Sequence, residues 1–261
     1  MIVAGCDVGS LTAKAVIMRD REIVAYHIMR STPQPELSAR TVLQATLEKA
    51  DLEAAAIDYC VGTGYGRNQI PFADAVESEI ACHGRGAWWL LPSVRMVIDI
   101  GGQDAKAIRL DEKGNVIRYV YNDKCASGTG RFLEIMADAL EVELEEMGSL
   151  SQQGEEGVSI SNQCVVFAET EIISLVNEGK ALPDIIMGLH AAMAHRVAAL
   201  AKSIEIDRDV TMTGGVAKNG GMFRALERAL GESIVPMPAD PQINGALGAA
   251  VIGLQAGGKG W

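Results

Sequence analysis

Hydrophobic residues in the first thirty positions fall into three short blocks, 2–7, 13–18 and 22–28, separated by Gly9-Ser10 and by Arg19-Asp20-Arg21. Apolar runs this short, bounded by turn residues, predict three strands in an antiparallel meander. Pro33 and Pro35 end the third. The period then changes: Leu37, Val42, Leu43 and Leu47 predict a helix over 36–50 with one apolar face. A strand is expected at 56–61 and a helix at 77–91, closed by Pro92. Strands then recur at 94–100, 105–110 and 116–121. Helices follow from 131 to about 140, from near Glu169, and over 182–204. In the last of these Leu182, Ile185, Ile186, Leu189, Met193, Val197, Leu200 and Ile204 form the core stripe, and His190 and His195 are assigned to the polar face. A strand at 210–213, a helix to Leu230 and a small-residue helix after the loop at Asp240 complete the pattern, the small residues suiting close packing at a hinge between lobes. The tail GGKGW is expected to fray.

Part of this pattern is written twice. Residues 7–18 read DVGSLTAKAVIM and residues 99–110 read DIGGQDAKAIRL, so Asp7 matches Asp99, Gly9 matches Gly101, and Ala13-Lys14-Ala15 matches Ala105-Lys106-Ala107. Two copies are too few for a solenoid and suit a duplicated, two-lobed α/β protein with one phosphate hairpin per lobe. The competing reading is two unrelated hairpins with a common turn. The expected lobes are 1–93 with 244–261, and 94–243.

Composition narrows the function. A net charge of −11 argues against nucleic acid, which needs a basic footprint. No apolar run reaches membrane-span length, and MIVAGCDVGS has no basic n-region followed by an h-region, so a cytoplasmic protein without a signal peptide is expected. Five cysteines, an odd number at low density, suit a reducing compartment where thiols are buried, ligands or nucleophiles.

The first turn carries phosphate chemistry. Asp7 at a strand end suits Mg²⁺ held through water. Beyond Gly9, Ser10, Leu11 and Thr12 offer backbone N–H groups and two hydroxyls to phosphate oxygens, and Lys14 adds a cation. An ordinary hairpin with a surface lysine is the bland alternative. In the second copy, beside Gly101 and Gly102, Gln103 and Asp104 occupy the places of Leu11 and Thr12 and suit the orientation of an attacking water at a γ-phosphate. No Walker A motif occurs, and Gly62-Thr63-Gly64-Tyr65-Gly66-Arg67 departs from the dinucleotide fingerprint. Gly214-Gly215, followed by Lys218 and a helix, lets the backbone lie against adenine and offers a helix start to anions.

Two cysteines stand apart. Cys125 precedes Gly128-Thr129-Gly130 and a helix, which lowers a thiol pKa, and Cys164 precedes the next helix. Cys6 and Cys60 lie in expected strands, and Cys82-His83 on a helix reads either as packing or as ligands. Cys125 and Cys164 are either structural thiols or ligands of a shared anion. A 4Fe-4S cluster takes four thiolates, and no C-x-x-C occurs, so such a cluster needs two chains.

The segments DVGSLTAK, VGTGYGR, DIGGQDAK, NDKCASGTGRF, CVVFAETE, TGGVAKN and NGALGAA together resemble the activators of 2-hydroxyacyl-CoA dehydratases and the ATPase subunits of benzoyl-CoA reductase, within the superfamily of sugar kinases, heat-shock chaperones and actin. The resemblance spans essentially the whole chain. It implies an actin-like, sugar-kinase-like ATPase fold with a duplicated βββαβα core. It implies a homodimer with one 4Fe-4S cluster between subunits, ligated by Cys125 and Cys164 of each. It implies ATP, ADP and Mg as ligands, contacted by Ser10, Leu11, Thr12, Ala13, Lys14, Gly101, Gly102, Gln103, Asp104, Gly128, Thr129, Gly214, Gly215 and Gln242. A reduced ferredoxin or flavodoxin is the implied donor, and an acyl-CoA dehydratase or reductase the implied acceptor. Ser127 and Asn162-Gln163 leave the subfamily open, and HGRGAWW at 83–89 leans toward the benzoyl-CoA reductase side, with a heterodimer. A kinase, or an actin-like or chaperone-like nucleotide switch, gives the two cysteines no role.

Overall fold

A computed structural model describes residues 1–161 and 164–257. The Asn162-Gln163 pair and the tail beyond residue 257 lie outside the described residues. The chain forms two compact units, one of Met1–Val97, Arg109–Ile117 and Met237–Trp261, the other of Ile98–Ile108 and Arg118–Pro236.

The first sheet holds β1 (Ile2–Val8), β2 (Thr12–Arg19), β3 (Glu22–Arg30), β4 (Tyr59–Thr63) and β5 (Ala75–Val76), in the order β3-β2-β1-β4-β5. Antiparallel pairing of β1 with β2 sets Asp7 opposite Lys14, and parallel pairing of β1 with β4 sets Asp7 beside Thr63. Helix α1 (Pro35–Ala50) starts on Pro35 and ends at Asp51, whose φ of 52° is left-handed. Its buried stripe is Ser38, Ala39, Val42, Leu43, Thr46 and Leu47, packed on Ala4, Cys6, Ala13 and Ala15. Leu37 is 47% exposed, contrary to the expectation from periodicity. At about 100° per residue it sits off the stripe set by 39, 43 and 46. Ser38 takes the buried place, its hydroxyl accepting from Thr32 N at 2.8 Å.

Helix α2 (Glu79–Leu90) is capped by Ser78, which accepts from Ala81 N. The second sheet holds β6 (Met96–Ile100), β7 (Ala105–Leu110), β8 (Val116–Asn122), β9 (Val210–Thr213) and β10 (Ile234–Val235), in the order β10-β9-β6-β7-β8. Read from the opposite edge, this is the order of the first sheet, so the duplication seen in the hairpins extends to all five strands. Between β8 and β10 come α3 (Gly130–Ala139), α4 (Met147–Ser151), α5 (Val165–Asn177), α6 (Leu182–Lys202) and α7 (Gly220–Leu230). Helix α5 begins at Val165 rather than near Glu169, so Cys164 is its N-cap residue.

Helix α8 (Asn244–Gly257) returns to the first unit against β1 and α2. Its small residues serve that contact. A Cβ on Gly5 would collide with the Ala246 carbonyl, and one on Gly248 with the Cys82 carbonyl. Because backbone, not a flexible side-chain tip, stands in the way, Gly248→Ala is expected to cost about 1–3 kcal/mol by forcing α2 and α8 apart, read as a lower urea midpoint at unchanged slope. No helix among the described residues is long and apolar enough to cross a membrane.

Candidate functional site

The first hairpin is organised on Asp7. Its side chain is buried, with Oδ2 3.2 Å from Lys14 Nζ. Gly9 N donates to Thr12 O at 3.0 Å and closes the turn, and Ser31 ties it to β3 by donating from Oγ to Gly9 O at 2.8 Å. Ser10, Leu11, Thr12 and Ala13 follow on this turn and strand. Gly64, at φ 91°, and Gly245 bring backbone to Asp7 so closely that a Cβ on Gly64 would strike Oδ1 and one on Gly245 would lie 2.8 Å from Oδ2. That same Cβ would lie 3.0 Å from His83 Nε2. His83, which the sequence leaves open between packing and ligation, thus lines the surroundings of Asp7. Gln242 sits on a single 3-10 turn before α8, its N–H donating to Asp240 Oδ1 at 2.9 Å.

The second hairpin repeats the geometry with one change. Asp99 and Lys106 are buried, and Lys106 Nζ lies 3.5 Å from Asp99 Oδ2, as Lys14 lies by Asp7. Asp104 adds a second carboxylate, with Oδ2 2.6 Å from the same Nζ. Gln103 beside it is exposed. Thr213 at the end of β9 donates to Asp99 Oδ1 at 2.8 Å. The glycine turn also seats the next segment: Gly130 N and Arg131 N donate to Gly101 O and Gly102 O, each at 2.8 Å. Gly214, at φ 85°, lies against the Ile100 carbonyl, where a Cβ would collide, so glycine is required there by β6 itself. Gly215 opens the 3-10 turn that ends at Lys218. In the second unit, then, Asp99–Lys106, Gly128–Arg131 and Thr213–Gly214 meet at one place. Asp99, Lys106 and Thr213 belong to this place without standing among the site residues that the sequence points to; the match of Lys14 to Lys106 in the repeat is the signal that could have found the first two.

The cysteines separate cleanly. Cys6, Cys60 and Cys82 are buried, and burial raises the Cys6 thiol pKa well above its ordinary value and pushes Cys60 and Cys82 up to about 12. Cys125 is partly exposed and Cys164 exposed. Cys125 is not at the helix start, since Thr129 caps α3 and donates its hydroxyl to Ala126 O at 2.7 Å. Instead it sits in a loop held by Asn122, whose Nδ2 donates to Cys125 O at 2.8 Å. Its thiol pKa is lowered, first by the Ser127 hydroxyl 3.1 Å from Sγ and more weakly by Arg196. The thiolate tendency expected from the sequence is present, with a local hydrogen bond in place of a helix end as its main cause. Helix α5, which Cys164 caps, packs on α3 and α6 and exposes Val166, Phe167, Ile173 and Val176. No group of three or more His, Cys, Asp or Glu among the described residues is placed to hold a metal.

Thiol chemistry checks this division. A lowered pKa leaves more thiolate at pH 7, the species that alkylates. Iodoacetamide on native, iron-free protein is expected to label Cys125 and Cys164, and all five thiols only in denaturant. Ser127→Ala removes the hydrogen bond and returns the Cys125 pKa toward its ordinary value, so labelling of Cys125 at pH 7 slows several-fold, as mass spectrometry of the labelled peptide will read.

Comparison with known proteins adds four findings. Residues 4–253 match the family model described as the BadF/BadG/BcrA/BcrD ATPase family. The chain is 45% identical to the activator of lactoyl-CoA dehydratase from Anaerotignum propionicum over 99% of this chain and all of that protein. It is 37% identical to a benzoyl-CoA reductase subunit from Thauera aromatica over 97% of this chain and 93% of that one. Among solved structures, the activator of the 2-hydroxyisocaproyl-CoA dehydratase from Clostridium difficile with bound ADPNP superposes with a TM-score of 0.94, at 42% identity, covering 98% of this chain and 96% of that one.

Proposed function

The chain belongs to the BadF/BadG/BcrA/BcrD ATPase family, and we propose from that premise that it is an ATP-hydrolysing activator that passes one electron from a reduced ferredoxin or flavodoxin to a 2-hydroxyacyl-CoA dehydratase. Its fold is the actin-like and sugar-kinase-like ATPase fold. The observation that carries the proposal is the joining, in the second unit, of a buried Asp–Lys turn to the loop that holds a thiolate-prone cysteine.

Each residue has a definite role. Lys14 and the N–H groups of residues 10–13 take phosphate oxygens, and Asp7 holds the water shell of Mg²⁺. Gln103, exposed beside the turn, orients the attacking water. Asp104, already bonded to Lys106, fixes the shape of the turn and places its other oxygen toward Gly101. Gly214, Gly215 and Lys218 of the second unit receive the nucleoside, and Gln242 is a nucleotide contact of the first. The donor set fits a 4Fe-4S cluster shared by two copies: two accessible thiols per chain make four, and the other three cysteines are buried as thiols. Cys125 and Cys164 of each copy would hold it, and when bound it supplies a one-electron carrier. Gly101 and Gly102 bond directly to the first residues of α3, so a change at the phosphate turn acts on the chain that carries Cys125.

The benzoyl-CoA reductase reading is the weaker one. Identity favours the dehydratase activators, 45% against 37%. The HGRGAWW segment that leans toward the reductase is occupied in holding the fold. Trp88 Nε1 donates to Glu112 O at 3.2 Å, and Arg85 donates to Lys113 O at 3.0 Å.

The test is reconstitution without oxygen. Reduced protein is mixed with a 2-hydroxyacyl-CoA dehydratase and its CoA ester, and enoyl-CoA formation is followed. It is expected with Mg-ATP and absent with Mg-ADP. Dehydration that is indifferent to ATP, or ATP consumption that requires a sugar hydroxyl, would overturn the proposal.

A further inference from the structure

The loop that carries Cys125 is fixed by two side chains. Asn122 Nδ2 donates to Cys125 O at 2.8 Å and to Ser127 O at 3.3 Å, and Asn122 Oδ1 accepts from Cys125 N at 3.3 Å. Thr129 donates to Ala126 O from both N and Oγ1, at 3.0 and 2.7 Å. Residues 125, 126 and 127 are thus each held through their carbonyls. Gly128, at φ 92°, then brings the chain against Arg196 of α6, whose Cδ would lie 3.3 Å from a Cβ on that glycine.

In this frame Ser127 Oγ lies 3.1 Å from Cys125 Sγ. Ser127 is 4% exposed, whereas Cys125 is only partly buried. The hydroxyl therefore meets the sulfur from inside the protein, where water does not compete for the bond. While Sγ carries its proton, either atom can donate. A sulfur that ligates iron carries none, and the direction is then fixed: Ser127 donates and Sγ accepts. A hydrogen bond to a ligating sulfur offsets the negative charge that an iron–sulfur cluster gains on reduction, and so favours the reduced form.

On the proposed function, from which this inference takes the cluster, we propose that Ser127 is a positioning residue for electron transfer: its hydroxyl donates to Cys125 Sγ and raises the reduction potential of the shared cluster. Each copy contributes one such bond. A higher potential eases uptake of one electron from the reduced ferredoxin or flavodoxin and lessens the drive with which that electron passes on. The side chain at position 127 therefore sets which donors can load the activator.

The test is an anaerobic redox titration of the reconstituted full chain, read by the visible spectrum and by electron paramagnetic resonance of the reduced form. Ser127→Ala removes two bonds per pair of chains. It is expected to shift the ratio of reduced to oxidised cluster about tenfold toward oxidised at a fixed potential, a fall of about 59 mV in the midpoint. Electron–nuclear double resonance after exchange into D2O should show one exchangeable proton coupling fewer than in the parent. Iron content, ADP affinity and the thermal midpoint should match the parent, so that a shifted potential belongs to the hydroxyl and not to a damaged loop. A parent with about four irons per pair of chains, whose potential and proton couplings are unmoved by Ser127→Ala, overturns this inference and leaves the cluster reading standing. A parent that takes up no iron overturns both.

Discussion

Cys125→Ser and Cys164→Ser are each expected to take the iron of anaerobically reconstituted protein from about four atoms per pair of chains to almost none. Serine keeps the volume of cysteine and removes the soft thiolate that iron–sulfur clusters require. Each change deletes two ligands of a shared set, because both copies carry it, and a cluster left with two thiolates does not persist. The fold should tolerate both changes, since neither side chain is in the core. ADP affinity, measured by calorimetry on the same samples, should stay within a few-fold of the parent. ATP-dependent activation of the dehydratase should vanish. Iron retained in both variants, or absent from the parent after reconstitution, would remove Cys125 and Cys164 as ligands and leave a kinase-fold ATPase with accessible thiols.

What the sequence makes legible is repetition and spacing. Asp7 with Lys14 and Asp99 with Lys106 are seven residues apart in each copy because a tight turn returns the chain to the same rung. The structure closes both ion pairs at that spacing. The short strands β5 and β10 escape because two residues carry no period. Leu37 and His190 depart from expectation for a shared reason. Hydrophobicity ranks residues by transfer preference, whereas burial on a helix is decided by angle and by neighbours. Ser38 is buried where Thr32 needs an acceptor, and His190 is buried where Asn219 needs one. The lowered Cys125 pKa, expected from a helix dipole, comes first from Ser127, a contact set by loop geometry that no periodicity encodes. Gly248 reads as a small-residue signal, but the carbonyl it approaches lies on a helix 166 residues earlier in the chain, at Cys82.

The two lysines that the repeat makes equivalent should fail in different ways. Lys14 faces one carboxylate, because position 12 of its turn is a threonine. Lys106 faces two, because Asp104 stands at the matching position, and its side chain is 7% exposed. Removing one partner of a buried ion pair leaves an uncompensated charge and costs about 3–5 kcal/mol. Lys106→Met is therefore expected to lower stability by that amount, a large part of the total of a domain, read as a marked fall in the urea midpoint. The side-chain volume is kept, so the loss belongs to charge. Asp104→Asn in the same chain should recover part of it, since it removes one of the two facing carboxylates, while Asp99 keeps its bond from Thr213. Lys14→Met leaves one buried carboxylate, Asp7, unpaired instead of two, so it should cost less stability than Lys106→Met and in addition weaken ADP binding by roughly tenfold or more, the loss of one charge-assisted bond to phosphate. If Lys106→Met is as stable as the parent and binds nucleotide weakly, both lysines are phosphate ligands, and Asp104 is free to act on water rather than to fix the turn.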